Sequence, residues 1–288
     1  MTRYESSVGR VILLLVLVAF AVTMMIPFLW SIATSLKDPA AVYVQASSFI
    51  QNFIPRDPKT REVSIQWHNY VDVWRKLPLG RFYFVSLVVA VVTTFGRVFT
   101  SSLAAYAFAR LEFPGRDKLF LLYLATLMIP GEVTMIPTFI IVGKLHWMNS
   151  YWALILPGMF TAFGTFMLRQ FFLTLPKDLE DAALIDGCSR LGIWWRIILP
   201  LSVPALVTLV IFTFLGSWNS FMWPLIVTDT TDMMTIPVGL AKLKGDYSQE
   251  IALMLSASIQ VLIPVFILFV ACQKRITEGI VMSGFGGI

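Results

Sequence analysis

The chain has 288 residues, 57% of them hydrophobic and 14% charged, and its mean hydropathy is strongly positive. A soluble domain would be roughly a quarter charged, so a water-soluble fold is excluded. The net charge of +5 does not point to nucleic acid, because much of the Lys and Arg stands at the ends of apolar runs, where it orients and anchors them.

The apolar runs are about 20 residues or longer, the length that crosses a ~30 Å hydrocarbon core. This predicts an all-α, polytopic membrane protein; a barrel would show ~10-residue alternating segments instead. In chain order, six transmembrane helices are expected at about 11–35, 82–109, 119–142, 147–168, 201–227 and 253–272, in a single membrane domain, 1–288. Arg3 and Arg10 ahead of VILLLVLVAF resemble the start of a signal peptide. The run continues past Trp30, however, and no A-x-A-like site follows, so the first span is read as retained.

The segment 37–81 holds Pro39, Pro55, Pro58 and Pro78 with Trp67, Tyr70 and Trp74. It reads as an extracytoplasmic excursion that either meets a partner or packs on the bundle. Arg110, Arg116 and Lys118 crowd the loop after the second span, whereas the next short loop has only Lys144. Lys and Arg favour the cytoplasmic side. That loop and, with six spans, both termini are therefore expected inside, and Arg3, Arg10, Lys274 and Arg275 agree.

Charges at membrane depth mark function or a polar clamp, and here they are Arg97 and Glu132. Glu132 lies in MIPGEVTMIP, where Pro130, Gly131 and Pro137 are expected to interrupt the helix and free backbone groups to line a cavity. Gly131 and Glu132 are thus candidates for a translocation pathway or gate; the other reading pairs Glu132 with a neighbouring helix through Arg97. Two charges are too few for an ion relay, which disfavours gradient coupling. Small residues at Ser101, Ser102, Ala104 and Ala105 suit close helix packing. Arg169 reads as an orientation anchor. In SWNSFMWPLI, the rings of Trp218, Phe221 and Trp223 and the amide of Asn219 suit a sugar, with Trp218 and Asn219 as pathway candidates. An interfacial aromatic belt is the alternative.

The stretch 175–200, LPKDLEDAALIDGCSRLGIWWRIILP, is a polar island between apolar runs. Pro176 can start a helix, and Asp178, Glu180 and Asp181 then lie at its positive end. Leu179, Ala182 and Ala183 form a small apolar face. Gly187 suits a left-handed helix end, and Ser189 can cap a second helix over 190–198. The result is a rigid lever able to pass a push into the fifth span, or else a helix pair lying on the membrane surface.

No catalytic residue, metal or cofactor is expected. Gly187 and Gly192 have P-loop spacing, but Ile193 and Trp194 stand where Lys and Ser/Thr belong. His68 and His146 stand alone, and Cys188 and Cys272 form no metal-spaced cluster. Any energy for uphill transport must then come from an ion gradient or another subunit.

The island resembles the EAA motif of ABC-importer permeases: E-A-A, three residues, G, nine residues, I-x-L-P. Here it reads Asp181-Ala182-Ala183, Gly187, then Ile197, Leu199 and Pro200, with Asp186 before the glycine. Asp181 departs from the usual glutamate, keeping the charge but shortening its reach. SLKDPA, AYAFARLEFPGRDKLFLL, MIPGEVTMIP, SWNSFMWPLI and GIVMSG extend the resemblance to the shorter, six-span permease of the maltose-type carbohydrate-uptake subfamily. The resemblance implies that Glu180, Asp181, Ala182, Ala183, Asp186, Gly187, Ile197, Leu199 and Pro200, in the cytoplasmic loop 175–200, couple to an ATPase as a coupling helix. It implies as partners two ATP-binding cassette subunits, a second, different permease and an extracytoplasmic solute-binding protein. The cargo would be a di- or oligosaccharide or polyol, or a glycerol phosphate ester, carried across a prokaryotic inner membrane. The chain itself would hydrolyse nothing.

Overall fold

The computed structural model describes residues 7–39, 42, 53–57, 60, 62–246 and 250–285. Arg3 and the parts of 37–81 at 40–41, 43–52, 58–59 and 61 lie outside the described residues, and of Lys274 and Arg275 only the helical backbone is described. The helices are α1 (Ser7–Ser35), α2 (Asn69–Lys76), α3 (Leu79–Arg110), α4 (Arg116–Ala125), α5 (Gly131–Lys144), α6 (Tyr151–Ile155), α7 (Ala162–Thr174), α8 (Asp178–Ile185), α9 (Arg190–Ile193), α10 (Leu199–Leu201), α11 (Val203–Trp218), α12 (Met222–Val227), α13 (Ile236–Asp246) and α14 (Ile251–Phe285). Among the described residues the only extended pairing is an isolated bridge between Arg56 and Val63.

Three unbroken stretches, Gly9–Ser35, Leu79–Arg110 and Ile251–Gln273, are long and apolar enough to cross a bilayer. Three bent pairs add to them: Arg116–Met128 with Gly131–Lys144 at 96°, Tyr151–Gly158 with Ala162–Thr174 at 42°, and Arg190–Leu201 with Val203–Trp218 at 81°. Counting each pair as one crossing gives the six expected. The bends follow from proline chemistry. Pro130 has no N–H to continue α4 and pushes the residue before it out of the helical region; Ile129 is accordingly extended, and α5 starts afresh behind Pro130. Pro204 lies in the first turn of α11, where its missing donor has no helical partner to lose.

The chain forms two compact units, Met1–Leu79 with Leu240–Ile263, and Gly80–Gly239 with Pro264–Ile288. In the first, the apolar side chains of α1 from Val11 to Leu29 face outward, as a lipid-facing helix requires. The Asn69 amide donates to the carbonyls of Ser35 and Lys37 at 2.8 and 2.9 Å, satisfying acceptors that the end of α1 leaves open. Burial holds the Lys37 amine below its ordinary pKa. Tyr70 meets the Ser35 hydroxyl at 2.7 Å, Trp74 donates to Gln260 at 2.6 Å, and Lys76 pairs with Glu250 at 2.6 Å. Of Trp67, Tyr70 and Trp74, the last two are thus tied down locally, while Trp67 stays 66% exposed.

In the second unit, one core joins Ala105, Tyr106 and Ala109 of α3 to Leu168 and Phe172 of α7, Ala183 of α8 and Leu209 of α11. A second joins Val85 and Val89 of α3 to Val142 of α5 and Ala153 and Leu154 of α6. The small residues on α3 let α7 approach: a Cβ on Gly164 would lie 2.6 Å from Ser101 Oγ. The fourth helical stretch begins at Tyr151 rather than 147, because His146 and Asn149 have positive φ and Ser150 is extended.

Candidate functional site

The polar island folds as helix, turn, helix. Its α8 closes on a two-bond C-terminal motif in which Cys188 N–H donates to Ala183 O at 2.9 Å and Gly187 N–H to Leu184 O at 3.0 Å. This geometry needs a left-handed residue, and Gly187 supplies it at φ +82°. Ser189 Oγ then accepts from Gly192 N–H at 3.2 Å and caps α9. A π-helical turn, Trp194–Ile198, carries α9 into α10, so the second helix continues to Leu201, past the expected 198.

Glu180 is buried, and its carboxylate lies 2.9 Å from Arg110 Nε, with side-chain exposures of 6% and 2%. The same guanidinium donates from Nη2 to the carbonyls of Phe172 and Leu175 at 2.6 and 2.7 Å. A cation at the C-terminus of α7 meets open carbonyls and the negative end of the helix dipole. Arg110 therefore fastens the end of α3, the end of α7 and α8 at one point. Burial pushes the Glu180 carboxyl above its ordinary pKa, against the opposing pull of Arg110 and Arg190. Desolvation thus outweighs pairing, as buried ion pairs allow.

On α8, Ala183 is buried in the core while Asp181 and Ala182 face out. The apolar face expected of Leu179, Ala182 and Ala183 is therefore split, since a turn of about 100° per residue separates neighbours. Asp186 and Gly187 are exposed, and Ile185, the last residue of α8, is 87% exposed. Ile197 and Leu199 pack against the core and Pro200 is exposed. A cleft of about 500 Å³ beside α8 is lined by Arg110, Lys177, Glu180, Asp181 and Arg190 among others.

Two cavities lie beside the broken spans. The first, about 300 Å³, is lined by Thr93 and Arg97 of α3, Pro157 and Gly158 at the bend, and Ser217, Ser220 and Trp223 among others. The second, about 450 Å³, is lined by Gly131, Glu132, Thr134 and Thr138 with Pro157, Ser220 and Trp223. Pro157, Ser220 and Trp223 are shared, and Trp223 is pinned by its Nε1 donating to Ala153 O at 2.8 Å.

Residues 97–278 match the family described as binding-protein-dependent transport system inner membrane component. The chain belongs to that family. It is an ABC-importer permease, a multi-pass inner-membrane protein, and ATP hydrolysis is the work of separate subunits. It is 40% identical over 208 residues to the arabinooligosaccharides transport system permease protein AraQ of Halalkalibacterium halodurans, covering 72% of this chain and 73% of the relative. It is 36% identical over 226 residues to the sn-glycerol-3-phosphate transport system permease protein UgpE of Yersinia enterocolitica, covering 75% and 80%. A crystal structure of a bacterial ABC transporter involved in the import of the acidic polysaccharide alginate superposes with TM-score 0.80 at 22% identity, covering 95% of this chain and 99% of that one.

Within the permease, the pathway candidates separate. Gly131 and Glu132 line a cavity. Trp218 is buried instead, stacked on Phe214 at 5.7 Å and tilted against Tyr83 at 6.2 Å. Neither Trp218 nor Asn219 is among the residues lining the two cavities. No ion pair joins Arg97 to Glu132; Arg97 Nε donates to Gly158 O at 2.6 Å and Thr100 to Met159 O at 2.9 Å. These bonds satisfy carbonyls freed by the 42° bend. Arg169 does more than anchor: it donates to Phe108 O at 3.2 Å, approaches Asp117 at 3.8 Å and lies 4.2 Å over the Phe120 ring. Sequence reasoning missed Arg110 as the holder of Glu180 and the hydroxyls of Thr93, Thr134, Thr138, Ser217 and Ser220. The uncharged end of a long apolar run hides such residues, although an Arg closing a helix before a polar turn is a signal for the first.

Proposed function

We propose that this permease pairs with a second, different permease and two ATP-binding cassette ATPases, receives cargo from an extracytoplasmic solute-binding protein, and carries a sugar or polyol inward by alternating access. The carrying observation is α8, which is gripped from inside at Glu180 by Arg110 and presents Asp181, Ala182, Ile185 and Asp186 outward. An exposed apolar side chain ringed by acids at the head of a rigid helix pair fits a partner's groove. In this reading Glu180, Asp181, Ala182, Ala183, Asp186 and Gly187 form the head, and Ile197, Leu199 and Pro200 the outlet into α11. The cavities lined by Glu132 and Arg97 belong to the pathway, and both termini face the cytoplasm. The two named relatives support either a pentose oligosaccharide or a glycerol phosphate ester as cargo.

The test is uptake by the whole importer in proteoliposomes. Gly187→Val forces a β-branched side chain into a left-handed position, and Asp186→Arg reverses the charge at the head. Each is expected to lower ATP-driven uptake at least tenfold with normal membrane insertion. ATPase association and uptake at wild-type levels in both variants would remove α8 as the coupling element.

A further inference from the structure

Arg97 presents a charge in a membrane-spanning helix with most of its bonding capacity unspent. A guanidinium has five N–H donors. Only Nε finds an acceptor among the described residues, the Gly158 carbonyl at 2.6 Å. No carboxylate pairs with it among those residues, although Glu132 lines the adjoining cavity. Its terminal nitrogens are absent from the buried polar atoms that lack partners, and Arg97 lines the cavity. Around it stand the hydroxyl-bearing Thr93, Ser217 and Ser220 and the fixed indole of Trp223. The Nε bond also orients the side chain, so the planar fork is held in place before any ligand arrives.

We propose that Arg97 is an anion-binding group of the translocation cavity, and that the cargo is a sugar or polyol bearing a phosphate ester or carboxylate. A bare cation at membrane depth calls for a counter-charge. A fork of paired donors matches the oxygens of a phosphate or carboxylate in two parallel bonds, which a neutral hydroxyl cannot do. Neighbouring hydroxyls and the indole face then suit the polyol body that carries the anion. This inference rests on the cavity being part of the importer's pathway.

The experiment uses the intact importer in lipid nanodiscs and measures binding of glycerol 3-phosphate, a trimeric uronate and neutral arabinotriose by calorimetry. The expected result is that at least one anionic probe binds at least tenfold more tightly than arabinotriose, and which one wins separates phosphate from carboxylate. Arg97→Gln should erase that preference, and Arg97→Lys, which keeps the charge, should retain part of it. Wild-type protein without anionic preference, or with no binding to either anion, overturns the proposal without any variant. Equal loss in Arg97→Lys and Arg97→Gln assigns the residue to bracing Gly158 and overturns it also. Failure of the importer reading shows separately, as uptake in proteoliposomes that proceeds without ATP.

Discussion

Arg110 serves three acceptors with one guanidinium: the Glu180 carboxylate and the Phe172 and Leu175 carbonyls. Glu180, facing it, is buried. Removing the two partners should therefore have unequal effects. Arg110→Met leaves a buried carboxylate unpaired and takes a donor from two carbonyls, and a broken buried pair costs about 3–5 kcal/mol. Glu180→Gln leaves the bonds to the two carbonyls in place and removes a carboxylate whose charged form burial already disfavours, so its loss should be smaller. Thermal unfolding of the purified importer should rank the variants in that order; equal shifts would mean that the guanidinium holds nothing but Glu180. The sign of the pH effect follows from burial. The folded pKa of Glu180 is raised, so its contribution to stability is full below the unfolded value and is lost as pH rises through the raised one. Glu180→Gln should remove that part of the pH dependence. This grip was not legible in the sequence. The spacing showed an acid at a helix start, but which cation meets it depends on how α3 and α7 end in space.

At the scale of helices, patterns that fix local backbone were legible and those that depend on neighbours were not. Gly187, Ser189 and Pro130 act through their own φ, cap or missing donor, and each structural outcome matches the expectation from sequence: a left-handed turn, a cap and a break. The burial of Trp218 against Phe214, and the split of Ala182 from Ala183, arise from rotation of a helix against its neighbours. A run that is apolar all round carries no record of that rotation. The small-residue reading of α3 lies between these cases, and it can be measured. Gly164 approaches Ser101 so closely that an added Cβ would sit 2.6 Å from its hydroxyl and 3.1 Å from its Cβ. Gly164→Ala should therefore cost about 1–3 kcal/mol by overpacking. Ser101 Oγ is buried without a partner, so Ser101→Ala removes both the shortest contact and an unsatisfied hydroxyl. The double variant should recover most of the loss in a thermal-shift cycle. Additive losses would show that the helices do not meet at this pair.

Across the membrane-spanning unit, ion pairs and turns sort the loops into two ends. Arg110 joins Glu180, and Arg169 approaches Asp117, so the loop after α3 and the polar island share one end. At another, Asn149 accepts from the backbone of Asp229 and Thr230 at 3.1 and 3.2 Å, which groups the turn before α6 with the segment after α12. The first end carries Arg116, Lys118, Lys177, Arg190 and Arg196 besides the paired Arg110, whereas the short turn at the second has Lys144. Acids on the island do not offset this, because the orientation rule counts Lys and Arg. The island end should therefore face the cytoplasm, where ATP is. Single cysteines can read this after Cys188 and Cys272, both free thiols, are replaced by Ser. Leu145, 47% exposed, marks the second end, and exposed Asp186 marks the island. A membrane-impermeant maleimide added to intact spheroplasts should label Leu145→Cys at once, and Asp186→Cys only after lysis. The reverse pattern would place α8 outside the cell, beyond reach of an ATPase, and the coupling role would fall with it.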